Sequence, residues 1–165
     1  MRDFYGNFLV VVKAFAYLTM LGREGVHEVG RNAVLNANYM MAALKDTYDM
    51  AYPGPCMHEF VMTLDRLHKE TGVSALDIAK GLLDNGIHPP TMYFPLIVHE
   101  ALMVEPTETE SKATMDEAIA VFRSLARLAH EDPDALHTAP HNTPVRRLDE
   151  VQAARNPVLR AALAE

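Results

Sequence analysis

The spacing of apolar residues divides the first part of the chain into two helical segments. Apolar side chains surround the whole circumference over residues 8–21, which predicts a helix that needs cover from protein on every side. The stretch GREG, residues 22–25, breaks this helix. Apolar residues at a period near 3.6 then predict a second helix over residues 26–44, which ends before YPGP at 52–55.

The middle of the chain places a short strand before a capped helix. HEFVMTL, residues 58–64, is apolar at alternate positions and is bounded by turn residues, which predicts a strand. Ser74 and Asp77 match a capping box that opens a helix over residues 74–86. Gly86 then supplies a left-handed stop for that helix.

Two strands next to prolines follow, and a fourth helix comes after them. TMYFPLIV at 91–98 is predicted as a strand interrupted by Pro95, and EALMVEP at 100–106 as its neighbour. We call PTETES, residues 106–111, the acidic corner. Its hydroxyl and carboxylate groups suit the start of a helix that ends before Asp132.

This order of elements predicts an α+β fold. We expect a small antiparallel sheet of about three strands packed with helices, preceded by a long helical pair. The chain divides into a helical pair at 1–48, an α+β small domain at 49–131 and a C-terminal tail at 132–165. The tail carries one short helix around residues 148–155.

Composition narrows the function classes. The 165 residues are 49% hydrophobic and 22% charged, which is typical of one globular domain with a real core. The formal charge of −7 disfavours a nucleic-acid or anionic-membrane surface, because few groups would neutralise phosphates. Cys56 is the single cysteine, so no internal disulfide forms, and a reducing interior such as a bacterial cytoplasm is expected. Residues 8–21 fall short of the roughly 20 residues that span a bilayer, so a buried core helix is favoured over a membrane segment.

The eight histidines do not form a recognisable metal motif. HExxH is absent, and Pro140 separates His137 from His141, so this pair does not lie on one helical turn as zinc ligands would. We expect capping, surface or hydrogen-bonded histidines and no metal site. A Walker loop, GxGxxG and GxSxG are also absent from the sequence.

Two stretches carry candidate binding groups, each with a structural alternative. Tyr5 and Asn7 stand at the start of the first helix, where free amides point outward. Asn7 is an N-cap, or this helix end faces an anion such as a cofactor phosphate or a substrate carboxylate. Arg146 and Arg147 lie next to acidic residues, where they form ordinary salt bridges or bind a carboxylate through two hydrogen bonds.

Long strings throughout the chain resemble one known family. They are FYGNF, LNANYM, HEFV, LDIAKGLLDNGIHPPTMYFPLIV, EALMVEPTETES and TPVRRLDE, in this order. Together they are similar to the C-terminal part of the second subunit of bacterial glycine dehydrogenase (decarboxylating), the P-protein of the glycine cleavage system. The resemblance covers nearly the whole chain.

The resemblance implies the C-terminal small domain of a fold-type-I pyridoxal-phosphate enzyme, an oxidoreductase of glycine catabolism. It implies glycine as substrate, transfer of the aminomethyl group to the lipoyl arm of H-protein, and glycine dehydrogenase subunit 1 as partner. The family's histidine-lysine motif, which carries the cofactor lysine, is absent. No catalytic residue is therefore assigned, and the lysines not carried over are Lys13, Lys45, Lys69, Lys80 and Lys112.

We therefore expect a fragment that is inactive alone and joins a large domain through residues 1–48. That domain or the partner subunit would cover residues 8–21, and the isolated chain would self-associate. His58, His88 and Thr91 lie at strand ends or at the double-proline bend, where small domains of this fold class often meet the cofactor cleft. The acidic corner is a helix cap or shapes the lipoyl entrance. The alternative is a free-standing binding or dimerisation module without catalysis.

Overall fold

The computed structural model describes residues 5–160, and within this range the chain forms a four-stranded antiparallel sheet packed with helices. The strands are β1 Asp49–Met50, β2 Phe60–Thr63, β3 Thr91–Met92 and β4 Ala101–Val104, in the order β1-β2-β4-β3. The helices are α1 Phe8–Leu44, α2 Asp65–Thr71, α3 Ala75–Asp84, α4 Lys112–Glu131, α5 Pro133–His137 and α6 Glu150–Arg155. The predicted α+β class is confirmed.

The central pair of strands forms the middle of the core. β2 and β4 pair from Phe60 with Val104 to Thr63 with Ala101, and Met62 and Leu102 are fully buried. Both strands were predicted. β1 was not, because its two residues carry no strand pattern and are ordered by pairing with β2.

The predicted strand over residues 91–98 is wrong beyond Met92. Tyr93 adopts a left-handed φ of 56°, which leaves the extended region and ends β3 after two residues. The following residues form an exposed turn that returns the chain to β4 at Ala101. The sequence signal failed because an apolar run reads as a strand even where its side chains face solvent.

Two of the predicted helices begin as their capping residues indicate. The hydroxyl of Ser74 accepts from the Asp77 amide and the Asp77 carboxylate accepts from the Ser74 amide, so the capping box of α3 is confirmed. The Ser111 hydroxyl accepts from the Thr114 amide at the start of α4. The inward face of α4 consists of Met115, Ile119, Phe122, Leu125, Ala126 and Ala129.

Helices α2 and α5 were not predicted. The sequence marks Asp132 and Pro133 as the end of a helix, but Asp132 also caps the next one. Its carboxylate accepts from the Ala135 amide at 3.2 Å, and Pro133 occupies the first turn of α5. Leu136 and Ala139, in the predicted tail, are buried against the rest of the molecule. The division at residues 48 and 131 stays a prediction, and its outer ends, 1–4 and 161–165, lie outside the described residues.

Helix α1 contains one break. Gly22 has φ 63° and ψ −173°, a non-helical conformation that separates residues 8–21 from the rest of the helix. The predicted helical pair is therefore confirmed as one kinked helix, which ends at Leu44, well before YPGP. Beyond the kink, Asn36, Ala37, Met40 and Leu44 are buried on the core.

The segment before the kink, residues 8–21, is exposed along its length. Phe8 is 77% exposed, Phe15 70% and Leu9 79%, so the helix exists as predicted while its cover is not supplied by the described part of this chain. Along residues 5–160, no helix is both long and apolar enough to cross a membrane.

We predict that the isolated chain self-associates through residues 8–21, because water contact with large apolar side chains is unfavourable. Sedimentation velocity should show concentration-dependent oligomers. A Phe8→Ser, Phe15→Ser double variant should shift the distribution to monomer. As a control, Val158→Ser should not shift it, although Val158 is 90% exposed. A monomeric wild-type chain at high concentration would contradict this prediction.

Candidate functional site

A cleft among the described residues lies between α4, the end of β4 and the double-proline segment before β3. Its volume is about 690 Å³, which is in the range of small-molecule and cofactor sites. The apolar part of its lining includes Met40, Met103, Met115, Val121 and Phe122. The polar part includes His88, Thr91, Glu105, Glu110 and Glu117.

The acidic corner forms one wall of this cleft, with Thr107 and Glu110 among the lining residues. The buried amide of Asn36 on α1 holds it in place by donating to two main-chain carbonyls. The distances are 2.9 Å to the Thr107 oxygen and 3.4 Å to the Glu110 oxygen. Because these carbonyls lie within one turn, a single side chain fixes the turn against α1.

A second contact joins the acidic corner to the exposed part of α1. The Tyr17 hydroxyl donates to the Glu108 carboxylate at 2.5 Å. This hydrogen bond is the main cause that raises the pKa of Tyr17, with smaller contributions from partial desolvation and the negative charge of the carboxylate. The same hydrogen bond, together with one from the backbone, lowers the pKa of Glu108. The pairing is exposed, so it orients the segment more than it stabilises the fold.

We predict that Asn36→Ala loosens the acidic corner. The variant leaves the Thr107 carbonyl without its donor, and a lost hydrogen bond to a partly buried group costs about 1–3 kcal/mol. Hydrogen exchange measured by mass spectrometry should be faster over residues 107–111 and unchanged over β2. Asn38→Ala is the matched control, because Asn38 bonds to Val34 and Cys56 away from the corner. Unchanged exchange in the Asn36 variant would contradict the assignment.

The structure brings two of the seven candidate site residues into the cleft and a third close to it. His88 and Thr91 both line the cleft. The His58 imidazole lies 3.9 Å from the carboxylate of Glu105, which is itself a lining residue. These three side chains are exposed to solvent.

The two candidates at the start of α1 are also exposed. Tyr5 is fully accessible, and Asn7 occupies the predicted N-cap position. Among the described residues, however, Asn7 makes no side-chain capping bond, which corrects the expectation that its oxygen accepts from the first turn. Its backbone carbonyl accepts from the Val11 amide instead, at 3.1 Å.

The two candidate arginines have different surroundings. Arg146 is exposed to solvent. The Arg147 guanidinium donates to the Asp77 carboxylate at 2.6 Å and to the carbonyls of Leu136 at 2.9 Å and Ala139 at 2.7 Å. Arg147 therefore holds residues of the tail against α3, and its salt-bridge partner is Asp77 and not its neighbours in sequence.

The residues of the cleft do not fit pyridoxal phosphate as its primary site. Among the described residues, no lysine or arginine lines the cleft, whereas three glutamates do. A phosphate would meet carboxylates here without a cation to offset them, and no lysine amine is placed to form the cofactor linkage. Within the same residues, no group of three His, Cys, Asp or Glu side chains is arranged to hold a metal ion.

Sequence reasoning missed Glu105 and Glu117 as cleft residues. Glu105 follows β4, and Glu117 lies on α4, twelve positions further along the chain. A polar position on an amphipathic helix reads as a solvent-facing surface, so only the packing of α4 beside β4 reveals the shared rim.

Comparisons with known proteins agree on one family. A family model described as "Glycine dehydrogenase, C-terminal domain" matches residues 29–142. "Probable glycine dehydrogenase (decarboxylating) subunit 2" of Treponema denticola is 60% identical over 159 residues, which is 96% of this chain and 33% of that protein. Proteins of the same description from Thermosipho africanus and Thermotoga maritima are 55% and 54% identical over 96% of this chain, covering 33% and 34% of their lengths. The chain thus spans about a third of the length of the curated relatives that it matches.

Proposed function

The chain belongs to the glycine dehydrogenase C-terminal domain family, and we propose that it works as the C-terminal third of a glycine dehydrogenase (decarboxylating) subunit 2. In this proposal the full enzyme uses pyridoxal phosphate to decarboxylate glycine and passes the aminomethyl group to the lipoyl arm of H-protein. Subunit 1 is the partner, and the cytoplasm is the location.

The observation that carries the proposal is the high identity across almost the whole chain, with relatives that share one description. The identity is 54–60% over an aligned region of 159 residues, and a region of that length includes the core, the acidic corner and the cleft-lining segments. In this proposal residues 1–48 link the chain to a large domain, residues 49–131 form the small domain, and residues 132–165 form the tail.

The role of this chain is to form a wall and not to bind the cofactor. The cleft lining combines apolar side chains with His88, Thr91 and residues of the acidic corner, while the family's cofactor lysine is absent from the sequence. Such a wall excludes water from part of the active site and limits the shape of what enters. Tyr5, Asn7, His58 and Arg146 are exposed and are proposed to contact the rest of the enzyme or its substrate.

A chimeric enzyme tests the proposal. This chain replaces the C-terminal third of the Treponema denticola protein, and the chimera is assayed with subunit 1 and lipoylated H-protein. We expect it to release labelled carbon dioxide from carboxyl-labelled glycine at a rate near that of the parent. The paired change His88→Gln, Thr91→Val should lower the rate at least tenfold, whereas Val158→Ser should not. A chimera that folds and binds the cofactor but releases no carbon dioxide would overturn the proposal.

The isolated chain should be inactive. We predict that pyridoxal phosphate with borohydride yields no stoichiometric adduct at a unique lysine, because no lysine lines the cleft among residues 5–160. Peptide mass spectrometry should instead find low, distributed labelling of exposed lysines. A single stoichiometric adduct together with glycine-dependent carbon dioxide release would contradict the assigned role.

A free-standing binding module without catalysis is the second candidate. The observation that favours this module is the exposed apolar surface of residues 8–21, because such surfaces also mediate dimerisation. The coding sequence upstream of Met1 distinguishes the two, since the enzyme requires a histidine-lysine motif followed by a glycine-rich run there.

A further inference from the structure

The connection from β3 to β4 exposes a group of large apolar side chains. We call residues 93–100, YFPLIVHE, the apolar loop. Phe94 is 53% exposed, and Leu96 and Ile97 are each 87% exposed. The first six residues carry no charge and four of them are exposed, so the loop presents an uncharged, mainly apolar tip to water. Such groups mark interaction sites when they are held in place.

The backbone of the apolar loop is fixed at both ends. Tyr93 and Glu100 have φ values of 56° and 46°, in the left-handed region that residues other than glycine seldom occupy. The Tyr93 amide donates to the Ala101 carbonyl at 2.8 Å, and the Leu64 amide donates to the Glu100 carbonyl at 2.9 Å. Unfavourable conformations of this kind persist only where surrounding contacts impose them, and they are common at binding sites.

Side chains add three further anchors. The Glu100 carboxylate accepts from the Ala75 amide at the start of α3, at 2.6 Å. The Thr63 hydroxyl donates to the His99 carbonyl at 2.7 Å, and the His99 imidazole lies 3.2 Å from the Asp65 carboxylate. The loop is therefore tied to β2, α2 and α3 while its tip stays in solvent.

A fixed apolar tip is preorganised for binding, because little conformational entropy remains to be lost when it docks. Val158 and Leu159 are exposed to a similar degree, at 90% and 87%, but they follow α6 in an irregular segment. Exposure alone therefore does not distinguish the apolar loop. The distinction is the set of hydrogen bonds that fixes its geometry.

The size of the tip selects the kind of partner. Three side chains of this size bury on the order of 500 Å², below the roughly 800 Å² per partner of a stable complex between separate molecules. A partner in the same polypeptide needs less area, because tethering gives a millimolar effective concentration. The curated relatives supply such a partner, since about two thirds of their length lies outside the region matched here.

We propose that the apolar loop docks into an apolar pocket in the remaining two thirds of the full-length protein and holds this domain in a fixed position against it. This inference rests on the proposed function, because it takes the chain to be one part of the longer enzyme. The loop starts two residues after Thr91, so docking at the tip also fixes the double-proline side of the cleft.

Side-chain footprinting of the full-length chimera tests this assignment without any substitution. Hydroxyl radicals oxidise exposed Phe, Leu and Ile, and peptide mass spectrometry gives the rate at each position. We expect oxidation of Phe94, Leu96 and Ile97 to be at least tenfold slower in the chimera than in the isolated chain. Val158 and Leu159 serve as the internal control. Equal rates at the tip in both proteins would overturn the proposal.

A paired substitution gives a second, independent readout. Leu96→Ser with Ile97→Ser should leave the Tm of the isolated chain within about 2 °C, because surface changes have small effects. The same pair should lower the apparent Tm of the chimera by at least 5 °C. If oxidation of the tip in the isolated chain became slower as the chain concentration rose, the loop would be binding a second copy of the chain. That result would overturn the proposal.

The two proposals fail in different ways. A chimera that releases carbon dioxide while its tip oxidises as fast as in the isolated chain retains the function and rejects the docking site. A chimera with a protected tip and no carbon dioxide release retains the docking site and rejects the function.

Discussion

Replacing Asp77 with alanine is expected to lower the free energy of unfolding by about 3 kcal/mol. Asp77 is 4% exposed, and its carboxylate accepts from the Ser74 amide at 2.8 Å, the Ser74 hydroxyl at 2.7 Å and Arg147 at 2.6 Å. The substitution removes a helix cap and leaves a guanidinium without its counter-charge. Because the Arg147 side chain keeps 31% exposure, water offsets part of the loss.

Urea unfolding followed by circular dichroism measures this change. Asp46→Ala is the control, because the Asp46 side chain is 68% exposed and its pairing with Arg123 spans 3.3 Å at the surface. That variant should lose less than about 1 kcal/mol. A loss of similar size in both variants would contradict the assignment of Asp77 as the residue that joins α3 to the tail.

The Asp77 carboxylate should make the free energy of unfolding depend on pH in the acid range. Burial raises the pKa of Asp77, but hydrogen bonds from the Ser74 amide and hydroxyl and the guanidinium of Arg147 outweigh it, and the net pKa lies below the ordinary value. Because the pKa of Asp77 is lower in the folded state than in the unfolded state, the ionised carboxylate stabilises the fold. This contribution to the free energy of unfolding is complete above the unfolded-state pKa of about 4 and is lost as the pH falls through the folded-state pKa. The difference in stability between wild type and the Asp77 variant should therefore shrink below about pH 4.

Local sequence signals predicted most of the elements, though not β1, α2 or α5, and they did not predict the contacts that join the elements. Ser74 and Asp77 are three positions apart, so the capping box was readable from the sequence. The other oxygen of Asp77 binds Arg147, which is 70 residues away, and no pattern along the chain encodes that pairing. The same limit applies to β1, whose two residues become a strand only because β2 pairs with them.

The candidate site was predicted in part for the same reason. Pro89 and Pro90 mark a bend, so His88 and Thr91 next to it were singled out, and both line the cleft. Glu105 and Glu117 face the same space from different elements, and their meeting depends on the packing of α4. The uncovered state of residues 8–21 was predictable, because an apolar circumference shows that a helix needs cover whichever partner provides it.

Replacing Gly22 with alanine is expected to straighten α1 and move residues 8–21 away from the acidic corner. Tyr17 contacts Glu108 and Asn36 contacts the adjacent Thr107. In an uninterrupted helix, Tyr17 and Asn36 would lie about 28 Å apart, beyond the reach of these side chains, so the break at Gly22 must turn the segment back.

The energies favour the straight form in the variant. The φ of 63° and ψ of −173° at Gly22 lie in a region almost restricted to glycine, and holding alanine there costs about 1–3 kcal/mol. Alanine also favours helical conformation over glycine by about 1 kcal/mol. Against these, the bent form retains one exposed hydrogen bond from Tyr17, worth about 0.5–1.5 kcal/mol.

Pulsed electron paramagnetic resonance measures the distance between two spin labels and so reports whether α1 straightens. Labels at Lys13→Cys and Ala113→Cys, in a Cys56→Ser background diluted with unlabelled chain, should separate by roughly a further 10–20 Å in the Gly22→Ala protein. Gly30→Ala is the matched control, because a Cβ at this glycine on α1 meets no atom within 4 Å. It should stabilise the helix and leave the distance unchanged. If Gly22→Ala kept the original distance, contacts of residues 8–21 with the rest of the chain would have to be stronger than one exposed hydrogen bond.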